Sequence, residues 1–418
     1  MKQLPFPQLP SSFYDESDFL RHVRQAAHSL RVAPDAVLGA TLARIATATP
    51  PTTYIDTPEP TTLNLIVGLI APSGDGKSRA QSTARRLLPD LGLGVNDSLP
   101  LGTGEGFVDS YFVNVPVLSK SGTGKHNEKR QGFTSALFWC DEGETLFNLG
   151  VRKGSTILQT MRTAWSAGVL GSTNASQETR RKLDAHTYRA CVLVAFQPSC
   201  GSLLVADSNG GTPQRFLYVS AQDLEMPQVP PSYPGVLKYE ADCEPFGLKV
   251  HTEILRELDN NKYRRARNEI VIDPLDTHND YMRLRIAGHL TLYERRRFID
   301  LKPWHIAGLL IDNSRQVRRT LDDWATLNRR DDLDKQLKDK DYTEGVAEMN
   351  RHKRDLNRIV AVLVSMVERN PGIYVAQALS RLGRDRGKIH DDELLTALYA
   401  TNKVELVGKT LRTKTIRQ

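Results

Sequence analysis

The stretch Leu63–Arg79, LNLIVGLIAPSGDGKSR, constrains the fold more than any other part of the chain. Its first eight residues, Leu63–Ile70, are mostly β-branched or leucine and run into turn formers. Such a run reads as a buried parallel strand. The turn feeds a helix beginning near Lys77. Strand, glycine loop, Lys-Ser and helix are the parts of a phosphate-binding loop. Gly74 and Gly76 let backbone N–H groups curl around a phosphate, with Ser73 and Asp75 between and before them. The helix N-terminus, through Arg79, adds partial positive charge. Lys77 is placed for the β- and γ-phosphates and the Ser78 hydroxyl for Mg²⁺, so the expected ligand is ATP with Mg²⁺. One position departs from the pattern GxxxxGK[ST]: its first glycine is Ala71.

A nucleotide site needs a second strand that carries acid. Ser135–Glu144, SALFWCDEGE, supplies it. Asp141 at the end of a buried strand suits the metal, and Glu142 suits the attacking water, with Glu144 as its alternative. Tyr188–Gln197, YRACVLVAFQ, is another buried strand, and Gln197 at its end is placed to sense the γ-phosphate. In Gly210–Val219, GGTPQRFLYV, a turn rises into a strand with Arg215 at its base. Arg215 reads either as an arginine finger reaching a neighbouring subunit's γ-phosphate or as a member of an internal ion pair.

With 418 residues the chain has room for two to three domains. No apolar stretch approaches a membrane span, and the N-terminal residues lack an apolar signal core, so a cytoplasmic location is expected. The four cysteines, Cys140, Cys191, Cys200 and Cys243, show no metal spacing. A net charge of +7 mildly favours an anionic partner. Neither a nuclease acid cluster nor a polymerase metal constellation stands out.

Four segments are expected. Residues 1–57 form an N-terminal helical segment, with two helices broken at Val32-Ala33-Pro34 and with His22 and His28 on the surface. Residues 58–225 form the α/β core. The proline-rich Pro227–Pro234 opens a helical lid or linker over 226–345, from which Arg283 or Arg285 could approach the nucleotide. Arg329–His352, dense in alternating charge, reads as an exposed helix or tether. Residues 346–418, with three helices and a hairpin, make a winged helix, in which Asp391–Thr401 would enter a DNA major groove. Phosphate contacts are assigned to Arg180, Arg181 and Lys182 in the core and to Lys409, Arg412, Lys414 and Arg417 at the end of the chain. Loop Leu101–Phe112 reads as lying near the nucleotide or a subunit boundary, and Lys120–Gln131 as a basic hairpin tip.

In order, APSGDGKS, GTGEG, FWCDEGE, AFQPS and GGTPQRFLYV resemble the P-loop ATPases found beside or fused to primases in phages, plasmids and integrative elements. Arg285–Leu290 and Pro303–Gly308 are similar to helical segments of some members. The resemblance spans about residues 15–320. It implies a helicase-like replication ATPase with a RecA-type or AAA+-type core that works as a hexamer, alone or beside a primase.

Overall fold

The computed structural model describes residues 5–118, 125–150, 152–172, 181–200, 210–242 and 244–414. Helix α1 (Asp18–Ser29) begins where the Ser17 hydroxyl caps the Leu20 N–H, and α2 (Pro34–Ala48) begins on a proline at its first position. All of α2 is buried, including Asp35 and Arg44, so it is a core helix and not a helix with one apolar face. Arg44 survives there by pairing with Asp97 at 3.1 Å and donating to the Leu88 carbonyl at 2.8 Å. His22 and His28 are likewise half-buried: His22 meets the Gly235 carbonyl and His28 meets Asp223, each at 3.0 Å.

Beyond α2 come β1 (Thr53–Ile55), β2 (Leu65–Ile70), α3 (Lys77–Leu87), β3 (Val95–Pro100), α4 (Gly104–Asp109), β4 (Phe112–Leu118) and β5 (Lys125–Gln131). Next are β6 (Ser135–Cys140), α5 (Gly143–Gly150), α6 (Ile157–Trp165), β7 (Leu170–Ser172), β8 (Arg181–Leu183), β9 (Arg189–Phe196) and β10 (Phe216–Ser220). Five strands form one parallel sheet in the order β10-β2-β9-β6-β3. The strands β2 and β9 are buried along their whole length, as their continuous apolar runs require.

The register fixes which helices cover which face. Residues two apart on a strand share a face. Gly39 of α2 lies against Val67 and Val219, and Gly143 of α5 lies against Phe196 on the other face, which it shares with Gly68. The sheet is therefore sandwiched between helical layers, and all five strands deliver their C-terminal ends to one rim.

The chain continues through β11 (Phe246–Val250), α7 (Thr252–Ala266), α8 (Asn279–Tyr293), β12 (Phe298–Ile299) and α9 (Leu301–Arg369). A second parallel sheet, β1-β11-β12, joins residues far apart in sequence. The Tyr218 N–H of edge strand β10 is capped by the Ser314 hydroxyl of α9 at 2.8 Å. Arg189 is the largest fully buried side chain among the described residues.

Two units divide at residues 328 and 329. The first thus holds the expected N-terminal segment, the α/β core and most of the lid. The proline-rich segment is not a boundary between units: Arg31 donates to the Pro227 and Gln228 carbonyls, and Gln25 donates to the Ser232 carbonyl at 3.0 Å. The second unit comprises the end of α9, then β13 (Ile373–Tyr374), α10 (Val375–Ser380), α11 (Asp391–Ala400), β14 (Val404–Val407) and β15 (Thr410–Thr413). Its strands form an antiparallel sheet in the order β13-β15-β14. Its core gathers Leu363, Val367, Leu379, Leu394, Leu398 and Leu411. Among the described residues no helix is long and apolar enough to cross a membrane.

The N-terminal residues are tied to α2 through Asp35. Its carboxylate accepts from the Leu9 N–H at 2.8 Å and the Tyr14 hydroxyl at 2.5 Å. Burial outweighs these bonds and lifts the carboxyl from 3.8 to about 7. A raised folded-state pKa gives stability that is complete below the unfolded pKa and is lost as pH rises through about 7. The stability difference between wild type and Asp35→Asn should therefore fall between pH 4 and pH 7.5, by up to roughly 4 kcal/mol. Urea midpoints at both ends of that range check it, and a pH-independent difference would show that Asp35 stays ionised.

Candidate nucleotide site

Directly after β2 the backbone turns through Gly74 at φ +91° and Gly76 at φ +81°. A Cβ at either position would meet nothing within 4 Å, so these glycines serve the left-handed backbone and not a tight fit. Ala71, which replaces the first glycine of the pattern, is fully buried and is not among the positive-φ residues. Its methyl group sits in the core, and its backbone does not require a glycine. Gly76 caps α3 with no side-chain hydrogen bond, so the first-turn amides have no capping side chain to compete with an anion.

Lys77 folds back onto its own loop, donating to the Ala71 and Pro72 carbonyls, each at 2.7 Å. Burial lowers its pKa, against the opposing pull of Asp75 and Cys200. Ser78 Oγ donates to Asp141 Oδ1 at 2.9 Å. Strand β9 lies between β2 and β6, so this contact reaches across the end of an intervening strand. Glu142 and Glu144 are exposed beside it, at the start of α5. Gln197 follows the last residue of β9 on the same rim and is exposed. The structure thus brings Ser73, Gly74, Asp75, Gly76, Lys77, Ser78, Asp141, Glu142 and Gln197 to one end of the sheet.

A single ring sets the spacing of this rim. A Cβ on Gly143 would lie 2.0 Å from Phe196 Cδ1, and one on Gly68 would lie 3.1 Å from Phe196 Cε2. Phe196 is fully buried and also packs on Phe216 at 5.5 Å between ring centres.

Several expected residues lie elsewhere. The Arg79 guanidinium donates to the Leu30 carbonyl at 2.5 Å, tying α3 to the end of α1 and turning away from the loop. Arg215 precedes β10, whose Phe216 pairs with Ile66. It is therefore level with Leu65, roughly 17 Å of strand below the phosphate loop. Its guanidinium donates to the Gly211 carbonyl and lies 5.4 Å from the Trp165 ring centre. It can serve no phosphate bound by its own loop. Arg285 is buried at the same far end, donating to the Asn64 carbonyl at 2.9 Å and stacked 3.5 Å from the Trp165 ring centre. Arg283 is held by the Trp304 carbonyl at 3.0 Å and by Glu257 at 3.1 Å. Neither arginine approaches the nucleotide site, because α8 packs where β2 begins. GTGEG runs into helix α4, which Thr103 caps, and a Cβ on Gly104 would clash with Thr156.

The residues expected at DNA are differently placed. Arg180 and Arg417 lie outside the described residues, as does the tip of the basic hairpin. Arg181 donates to Asp109, which Lys129 of β5 also binds. Burial opposes charge on Asp109, but these two cations hold its carboxyl below its usual range. Lys182 pairs with Asp184 at 2.5 Å. Lys409, Arg412 and Lys414 are exposed on the β14–β15 hairpin. Helix α11 carries Asp391, Asp392 and Glu393 in its first turn and no lysine or arginine. A major groove is flanked by phosphates on both sides, so this charge opposes the groove-entering role expected of α11.

Sequence reasoning missed Gln222. Its amide donates to Asp75 Oδ2 at 3.1 Å, and its Oε1 accepts from the Phe6 N–H at 3.2 Å. It lies two residues beyond an apolar strand, as Gln197 lies one beyond another. That position was the available signal, but only the pairing of β10 with β2 brings it to the loop.

Among the described residues no group of three or more His, Cys, Asp or Glu side chains could hold a metal ion by itself. Comparison of the sequence with protein-family models and with curated proteins finds no match.

Proposed function

We propose that the chain is an MgATP-hydrolysing, DNA-binding motor: a helicase-like ATPase acting in replication of a mobile element, working as a homo-hexamer, with a primase as a further partner. The core is read as a P-loop NTPase of RecA or AAA+ type and the second unit as a winged helix. The observation that carries the reading is the 2.9 Å contact between Ser78 and Asp141, which joins the glycine loop to the acidic strand across β9. A hydroxyl and a carboxylate at one point suit Mg²⁺, which takes its remaining ligands from phosphate and water. The open space above Gly74 and Gly76 leaves room for the phosphates.

In this reading Lys77 exchanges its two loop carbonyls for phosphate oxygens. Ser78 and Asp141 would hold the metal, which would supply positive charge against that of the phosphates. Glu142 orients a water and accepts its proton, and Gln197 hydrogen-bonds the γ-phosphate side. Arg215 acts only across a subunit boundary, on a neighbour's nucleotide. The rival reading is an ATP-switched DNA-binding regulator or loader without unwinding activity; its form that enters a duplex groove through α11 is disfavoured by the acidic first turn of that helix.

The test is the ATPase rate with and without single-stranded DNA, for wild type and Glu142→Gln, with native mass measured in ATP. A DNA-stimulated rate lost in the variant, together with a hexameric mass, supports the motor. A slow, DNA-indifferent monomer removes it and leaves the switch.

A further inference from the structure

The second unit holds a groove of about 530 Å³ between α10, α11 and the β14–β15 turn. Leu379 and Leu395 line it, Tyr374 and Tyr399 bring aromatic rings to it, and Arg386 and Lys409 bring positive charge. Tyr374 is 55% exposed, far more than an aromatic ring recruited for the core. Charge around the groove is unevenly spread, although the hairpin also carries the exposed Glu405, opposite Arg412 in the strand register. The turn before α11 carries Arg381, Arg384 and Arg386, and the hairpin carries Lys403, Lys409, Arg412 and Lys414, all exposed. The acid in that turn, Asp385, is already held by Arg358 and Lys388, each at 2.8 Å. Negative charge is concentrated at the start of α11, where Glu393 pairs with His352 at 2.8 Å.

We propose that this groove takes a base of a single-stranded nucleic acid, stacked on Tyr374, with the neighbouring phosphates on Arg386 and Lys409. The inference rests on the DNA half of the proposed function and not on the nucleotide site. An aromatic platform beside a cationic rim is what a single strand needs: every base has a face to stack, and the backbone needs only a line of charge. A duplex hides its base faces and would bring a second row of phosphates towards Asp391 and Asp392. A single strand can lay its one row of phosphates along the hairpin side and turn a base, not a phosphate, toward the acidic turn. Asp391, which also lines the groove, is an acceptor placed for an exocyclic amine of a base.

The test is fluorescence anisotropy on the full chain, with a labelled 12-nucleotide oligo(dC) and a labelled duplex of the same length. Binding of a fluorescent ATP analogue is followed in parallel. Tyr374→Ala should weaken single-strand binding by roughly tenfold, the loss of one stacked base, and change duplex binding less than twofold. Tyr374→Phe should restore it, since the ring and not the hydroxyl does the stacking. Arg386→Gln with Lys409→Gln should reduce the salt slope of single-strand binding by about 1.4. Unchanged single-strand affinity in Tyr374→Ala would overturn the groove assignment, as would equal losses for both forms of DNA. A chain that binds the ATP analogue but neither oligonucleotide would overturn it together with the DNA half of the proposed function, leaving a protein surface as the role of the groove. A chain that binds the oligo(dC) as expected but no ATP analogue would overturn the nucleotide site alone and support the groove.

Discussion

Replacing Lys77 with alanine is expected to slow ATP turnover by roughly 10³-fold, the scale of losing a positioned cation from phosphate-transfer chemistry. Folding should barely notice. The hydrogen bonds of the ammonium go to two carbonyls of its own loop, at Ala71 and Pro72, and the loop lies on the surface rim. The melting temperature should therefore stay within about 2 °C of wild type, since the lost bonds are partly replaced by water. Those carbonyls hold the ammonium at the mouth of the loop, so binding requires a short exchange of partners and no rearrangement of α3. Steady-state turnover and a thermal melt on the same preparation separate the two effects. A variant that turns over ATP at the normal rate would remove the phosphate loop from the mechanism.

Arg189→Met should cause the largest loss of stability. The Arg189 side chain is fully buried, and all five of its N–H groups are used. Nε donates to the Thr49 carbonyl at 3.1 Å. Nη1 donates to Thr62 Oγ1 at 2.9 Å and to Asn64 Oδ1 at 3.1 Å, and Nη2 to the Pro50 carbonyl at 2.7 Å and the Thr53 carbonyl at 2.8 Å. No carboxylate is among these partners. Burial lowers its pKa to about 10, so it still carries charge at neutral pH. Methionine fills similar space but takes a donor from five acceptors; the Pro50 carbonyl keeps the Thr53 N–H and Thr62 Oγ1 keeps the Asn64 N–H, and each of the others costs about 1–3 kcal/mol if left dry. Allowing for water and relaxation, a loss of roughly 4 kcal/mol or more is expected, a large part of the stability of a typical domain. A urea titration would show it as a lowered midpoint or as failure to accumulate folded protein. Arg189→Lys should recover only part of it, because three donors cannot serve five acceptors. An unchanged midpoint in the methionine variant would show that the segments around residues 49–64 hold without this side chain.

Local chemistry made half of the candidate site legible. The glycine loop and the acidic strand each announce themselves within ten or so residues, because backbone handedness, an apolar run and a terminal acid are properties of contiguous sequence. The sheet β2, β6, β9 and β10 follows from the same runs. What stayed hidden depends on partners distant in the chain. Arg189 reads as the second residue of the strand Tyr188–Gln197, and nothing nearby shows that residues 49–64 wrap around it. Gln222 gains its place only when β10 lies beside β2. The sheet of β1, β11 and β12 pairs Thr53 with Phe246 and Lys249 with Phe298, a link no local pattern encodes. For helix α11 two signals in the sequence point opposite ways: three helices and a hairpin suggest a groove reader, and the acids of its first turn oppose that role.

Phe196 has a bearing on how relatives of this chain could be found. One ring occupies the room that side chains at positions 68 and 143 would need. Those three positions, spread over 129 residues, constrain one another, 143 and 196 most tightly. A descendant carrying alanine at 143 would have to shrink or displace residue 196, and one carrying alanine at 68 would need its ring to shift by a few tenths of an ångström. In an alignment deep enough to include it, the three columns would covary although none of them touches phosphate. That triplet, read together with the glycine loop, would mark members of this lineage even after the rest of the sequence had drifted.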